Sequence, residues 1–95
     1  MHQAFILTTV TIHDPTAFAA YRAAIADLNA RIGGEMLVRG RAIETLEGED
    51  GDAEHVVAIG FPSAAAARAY IASPEYQAAL PLREAAGRFR IRLIA

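Results

Sequence analysis

Gly33-Gly34-Glu35-Met36-Leu37-Val38-Arg39-Gly40 is the stretch on which the fold turns. Its glycine pair closes a long helical pattern, and the residues after it open a strand. Glycine takes the left-handed conformation that ends a helix without the steric cost other residues meet there. Upstream, Phe18, Tyr21, Ile25, Leu28 and Ile32 recur at spacings of three and four, which puts them on one stripe of a helix. His13-Asp14-Pro15 starts that helix. Asp14 suits the N-cap, and Pro15 suits the first helical position, where its missing N–H would have been unpaired anyway.

Working outward, Phe5 to Ile12 reads as a strand rich in β-branched residues. Ile6, Thr8, Val10 and Ile12 fall on one face, with Phe5, Leu7, Thr9 and Thr11 on the other. Neither face is strongly polar, as expected of a central strand covered on both sides. Beyond the glycine pair, Met36 to about Glu47 is a second strand and Glu54 to Phe61 a third. The acidic, glycine-rich loop Gly48-Glu49-Asp50-Gly51-Asp52 joins them as an antiparallel hairpin. Pro62-Ser63 ends the third strand, and Ser63 caps a second helix with Ala67, Tyr70 and Ile71 inward. Ser73-Pro74 restarts a short helix through Leu80, which Pro81 should break or bend. Arg88 to Ile94 then alternates Phe89, Ile91 and Leu93 against Arg88, Arg90 and Arg92.

The order β-α-β-β-α-β predicts an α+β, ferredoxin-like fold: a four-stranded antiparallel sheet with the helices on one face. The chain of 95 residues is expected to be a single domain, 1–95. A domain of this size buries only roughly two thirds of the surface its unfolded chain exposes. Helices cover one sheet face, and the other must meet water or a partner. Two such sheets packed face to face would make a homodimeric α/β barrel with a cavity inside.

The net charge of -2 argues against a general nucleic-acid binder. All nine basic residues are arginines, whose forked guanidinium matches carboxylate or phosphate. There are no cysteines, so disulfide and thiolate chemistry are excluded. The N-terminus has no basic segment typical of a signal peptide, and no apolar run approaches a membrane span. The expectation is a soluble, cytoplasmic protein.

Gly33-Gly34, Val38-Arg39-Gly40, Leu46-Glu47-Gly48, Phe61-Pro62-Ser63 and Ser73-Pro74-Glu75-Tyr76 together resemble the family called domain of unknown function 1330 (DUF1330). The resemblance extends over nearly the whole chain. It implies the ferredoxin-like fold assembled as a dimeric α/β barrel, and it implies no established activity. Related dimeric barrels include cofactor-independent monooxygenases, small-lactone isomerases and haem-handling enzymes. The family commonly has an acidic residue just before the Phe-Pro-Ser step, where this chain has Gly60.

Arg39 is the leading candidate for a ligand contact, as a two-pronged clamp on a carboxylate or phosphate. The alternative is an ion pair with Glu47 or with a carboxylate of a partner copy. Small residues Ala58 and Gly60, on the face of the third strand away from the helices, are expected to leave ligand space beside Arg39 and Arg41. Arg88, Arg90 and Arg92 form a positive ladder on an edge strand, a common guard against aggregation. His2, His13 and His55 show no metal-ligand spacing, so neither a metal nor a cofactor is expected. Tyr21 and Tyr76 belong to helical stripes and are expected in the core, although their hydroxyls could orient a ligand. The leading reading is a homodimer that binds a small organic anion in a barrel cavity. A cofactor-independent monooxygenase or isomerase using the same cavity is one alternative. An interaction module without a small-molecule site is the other.

Overall fold

The computed structural model describes residues 2–49 and 54–95. Asp50, Gly51 and Asp52 of the expected acidic loop lie outside the described residues. The elements are β1 (Ala4–Ile12), α1 (Pro15–Arg31), β2 (Glu35–Arg41), β3 (His55–Phe61), α2 (Ala64–Ala72), α3 (Pro74–Ala78), α4 (Leu80–Ala86) and β4 (Gly87–Ile94). The strands form one antiparallel sheet in the order β2-β3-β1-β4, which puts β2 and β4 at its edges. This is the ferredoxin-like α+β arrangement that the sequence predicts.

The helix boundaries follow from local chemistry. The Asp14 carboxylate accepts hydrogen bonds from the N–H groups of Thr16 and Ala17, satisfying donors that the first helical turn leaves open. Gly33, at φ 83°, takes the left-handed turn that ends α1. Ser63 caps α2 through the Ala66 N–H, and Ser73 caps α3 through the Tyr76 N–H.

Two boundaries differ from expectation. β2 ends at Arg41 rather than near Glu47, and residues 42–49 are exposed. One further bond, from the Ala42 N–H to the Glu54 carbonyl, ties the start of this segment to the residue just before β3. Pro81 does not break a helix. It stands in the first turn of α4, the position that tolerates its missing N–H, and the interruption falls at Ala79.

The core lies between the sheet and the helices. Ile6, Ile59 and Phe61 from the strands meet Tyr21, Leu28, Tyr70 and Tyr76 from the helices. A smaller cluster of Val10, Phe18 and Ala86 closes one end. The opposite sheet face carries Phe5, Leu7, Val56 and Ala58 half-buried, with Val38 51% exposed. No helix covers it.

Candidate functional site

α1 packs mainly on α4 and α3. Between α1 and the helix-facing side of the sheet lies a cavity of about 570 Å³. It exists because α1 turns Ala19, Ala23 and Ala26 toward this space, and their side chains are too short to fill it. Its walls are apolar and aromatic, with Phe18, Val57, Ile59, Phe89 and Ile91 among them. Its polar groups are few: Thr8 on β1, Arg22 and Asn29 on α1, Arg39 on β2, and Tyr21, Tyr70 and Tyr76 from the helices.

Arg39 reaches this cavity through an irregularity of β2. The β2–β3 register runs Met36↔Ile59 and then Val38↔Ala58, so Leu37 is the extra residue of a bulge. A bulge moves every later side chain to the opposite face. Arg39 is thereby paired with Val57 and Arg41 with His55, both on the helix side. Ala58 and Gly60 lie on the other side, opposite Leu7 and Phe5 of β1. The expected grouping of Arg39 and Arg41 with Ala58 and Gly60 therefore does not form. Gly60 is not beside empty space either: a Cβ there would stand 2.6 Å from the His2 ring. That ring is held over it by a 3.1 Å contact between His2 Nε2 and Glu35.

Among the described residues, Arg39 makes no ion pair, with Glu47 or any other group. Arg22 lies over the Phe18 ring, 5.8 Å from its centroid, a cation–π contact that leaves the guanidinium's N–H fork available. Arg22 and Asn29 are seven positions apart, two helical turns, and so share a face of α1. Asn29 Oδ1 is buried without a hydrogen-bond partner. Sequence reasoning missed both residues, although their spacing beside the Phe18-Tyr21-Ile25 stripe was a usable signal.

The expectation that Tyr21 and Tyr76 sit in the core is met, and they also bound the cavity. Their hydroxyls are 2.8 Å apart, and Arg83 Nη1 donates to the Tyr76 hydroxyl at 3.3 Å. An arginine can only donate. Tyr76 thus accepts from Arg83 and can pass its own proton's bond to Tyr21, leaving the Tyr21 O–H to point elsewhere. Burial, followed by the neighbouring Tyr76 phenol, raises the Tyr21 pKa far above the ordinary phenol range, and burial does the same for Tyr70. These phenols stay protonated and act as hydrogen-bonding groups rather than bases. His55 packs edge-on against Phe18, 5.4 Å between centroids, and does not line the cavity.

The sequence profile of the family described as domain of unknown function 1330 matches residues 3–95. The chain belongs to the DUF1330 family. Among curated proteins none matches its sequence. Solved structures share its fold. A protein of unknown function from Rhodopseudomonas palustris, RPA0582, is 22% identical at a TM-score of 0.74, over 99% of this chain and 82% of that one. SnoaB, a cofactor-independent oxygenase from Streptomyces nogalater, is 20% identical at 0.70, over 100% and 93%. A dimeric ferredoxin-like protein of unknown function from Bacteroides fragilis is 14% identical at 0.55, over 99% and 98%. Among the described residues of this DUF1330 member, no helix is long and apolar enough to cross a membrane. No group of three or more potential metal ligands occurs among them.

Proposed function

We propose that the protein is a homodimer that binds a small organic anion, one in each protomer, in the cavity between α1 and the sheet. The carrying observation is the cavity's charge: Arg22 and Arg39 line it, and among the described residues no carboxylate or imidazole does. An apolar pocket with a few convergent polar groups suits a flat or aromatic acid, whose body meets Phe18 and Phe89 while its carboxylate meets the arginines. Arg41, on the same side of β2, adds positive potential.

Calorimetric titration with a panel of aromatic and keto acids tests this. Arg39→Ala is expected to weaken binding at least tenfold while leaving dimer mass and melting temperature unchanged. Unchanged affinity would overturn the role of Arg39. A fall to monomers would favour the interaction-module reading, in which the arginine serves the interface.

The second reading is catalysis in the same cavity, a cofactor-independent oxygenation or isomerisation, favoured by the full-length fold similarity to an oxygenase. It stands behind binding because among the described residues no carboxylate or imidazole lines the cavity to act as a general base, and the Tyr21 and Tyr70 phenols are held protonated. Oxygen uptake or conversion of a bound acid without added cofactor would promote it.

A further inference from the structure

The Tyr21 and Tyr76 hydroxyls, 2.8 Å apart, belong to residues that both line the cavity. Each phenol carries one proton, and a contact between two oxygens holds only one of them. Arg83 stands outside the cavity's lining and donates to the Tyr76 oxygen at 3.3 Å, so it fills an acceptor site there and takes up no proton. If Tyr76 donates to Tyr21, the Tyr21 O–H has no acceptor among the described residues. If Tyr21 donates to Tyr76, the Tyr76 O–H has none. Either way the pair keeps one spare donor at a buried position, where a hydrogen bond left unmade is costly.

This donor and the cavity's cations lie on different sides of α1. Successive helical residues point about 100° apart, so Tyr21 and its neighbour Arg22 diverge. Tyr21 turns toward Tyr76 on α3 and toward Phe89 of β4, 5.3 Å between ring centroids. Arg39 is on β2. β2 and β4 are the two edges of the sheet, three strand spacings or about 14 Å apart. An acid held by Arg22 and Arg39 therefore lies beneath α1 with its far end toward the phenols.

We infer that the cavity takes an acid bearing a second, acceptor oxygen at its far end, a carbonyl or a phenolate, and that the spare proton of the Tyr21–Tyr76 pair donates to it. The inference rests on the anion-binding reading and narrows its ligand class. Arg83 is a positioning residue: its cation behind Tyr76 strengthens the donor that faces the ligand, through a chain of hydrogen bonds that polarise one another. A far end that is only a hydrocarbon leaves the donor unmet, and an ammonium group, which can only donate, opposes it. Burial holds the Tyr21 proton in place, so the pair binds this oxygen without taking a proton from the ligand.

Matched acids test it, with affinities from calorimetric titration of the intact chain. Para-acetylbenzoate and para-acetylphenylacetate carry the far oxygen; their para-isopropenyl counterparts have the same outline without it. The acetyl acids are expected to bind at least about tenfold tighter than their counterparts. Tyr21→Phe combined with Tyr76→Phe is expected to bring each matched pair to within about threefold, with the oxygen-free acids keeping their affinity. Equal affinities in the unaltered chain would overturn the inference and leave the anion-binding reading standing. Failure of all four acids to bind would instead sink that reading, and the inference with it. A second measurement leaves both tyrosines intact. The infrared carbonyl stretch of a bound acetyl acid is expected below its position in an alkane, and is expected to rise in Arg83→Met, a change outside the cavity's lining that weakens the donor only through Tyr76. A band at the alkane position, or one indifferent to Arg83→Met, would overturn the inference.

Discussion

The two faces of the sheet are built from similar side chains and end in different situations. On the helix side, Ile6, Val10, Ile59 and Phe61 are buried under aromatic residues, and one region is left hollow. On the other side, Phe5, Leu7, Val56 and Ala58 remain half-buried with nothing over them. The difference does not come from β1, whose two faces are comparably apolar. It comes from what the connections supply. Both crossovers return over the same face, so the helices and the cavity belong to one side and the unmet apolar surface to the other. The cavity is thus a property of a single protomer, and the uncovered face is where a second copy would act.

The largest effects should separate the faces most sharply. Phe61, fully buried against Tyr70, is a core residue, and Phe61→Ala should cost about 4 kcal/mol of stability by chemical denaturation. Leu7→Asp, on the uncovered face, should change protomer stability far less and abolish the dimer by sedimentation. If both changes simply unfolded the chain, the two faces would not differ as described.

Next in size is the hydrogen-bonded chain beneath the cavity. Tyr76→Phe removes bonds to Tyr21 and Arg83 and should cost roughly 2 kcal/mol. The buried phenols of Tyr21 and Tyr70 also give the helix side a pH signature. Their folded pKa values lie above the unfolded value of about 10, so the folded state holds these protons more tightly than the unfolded state. Their contribution is complete below about pH 10 and falls as the pH rises beyond it, while the unfolded chain ionises first. Tyr21→Phe should make denaturation midpoints between about pH 9 and 11 less sensitive to pH. An unchanged slope would mean that Tyr21 is not sheltered.

The smallest effect concerns Gly60. Its neighbour is the His2 ring, the end of a side chain near the terminus, which can swing aside. Gly60→Ala should cost under about 1 kcal/mol and leave ligand affinity unchanged, because the residue is on the face away from the cavity. A loss of affinity would reinstate Gly60 as a site residue.

Much of the fold was legible because its signals are local. Asp14-Pro15, Gly33-Gly34 and Ser73-Pro74 mark chain reversals through cap chemistry that acts within a few residues, and period-two patterning marks β4. The restart of α4 at Leu80-Pro81 was legible too, had Pro81 been taken as a first-turn residue rather than a breaker. The site was less legible. The bulge at Leu37 lacks a glycine or any other local sign, yet it moves Arg39 and Arg41 from one face to the other. Strict alternation therefore grouped them with the wrong partners, Ala58 and Gly60. Asn29 and Arg22 line a cavity that is the absence of side chains on neighbouring turns of α1, and such hollows emerge only when tertiary packing fails to fill them.

The central claim is that the ligand sits on the helix side of the sheet. Asn29 is the chain's single asparagine, so its side-chain amide is a distinct reporter in a nitrogen–proton correlation spectrum. The measurement is that spectrum recorded during titration with an aromatic carboxylate. The account predicts saturable shifts at the Asn29 side-chain amide and the Arg39 backbone, with Ala58 and Val56 unmoved. Shifts confined to Val56, Ala58 and Thr9 would put the ligand between two sheets and contradict it.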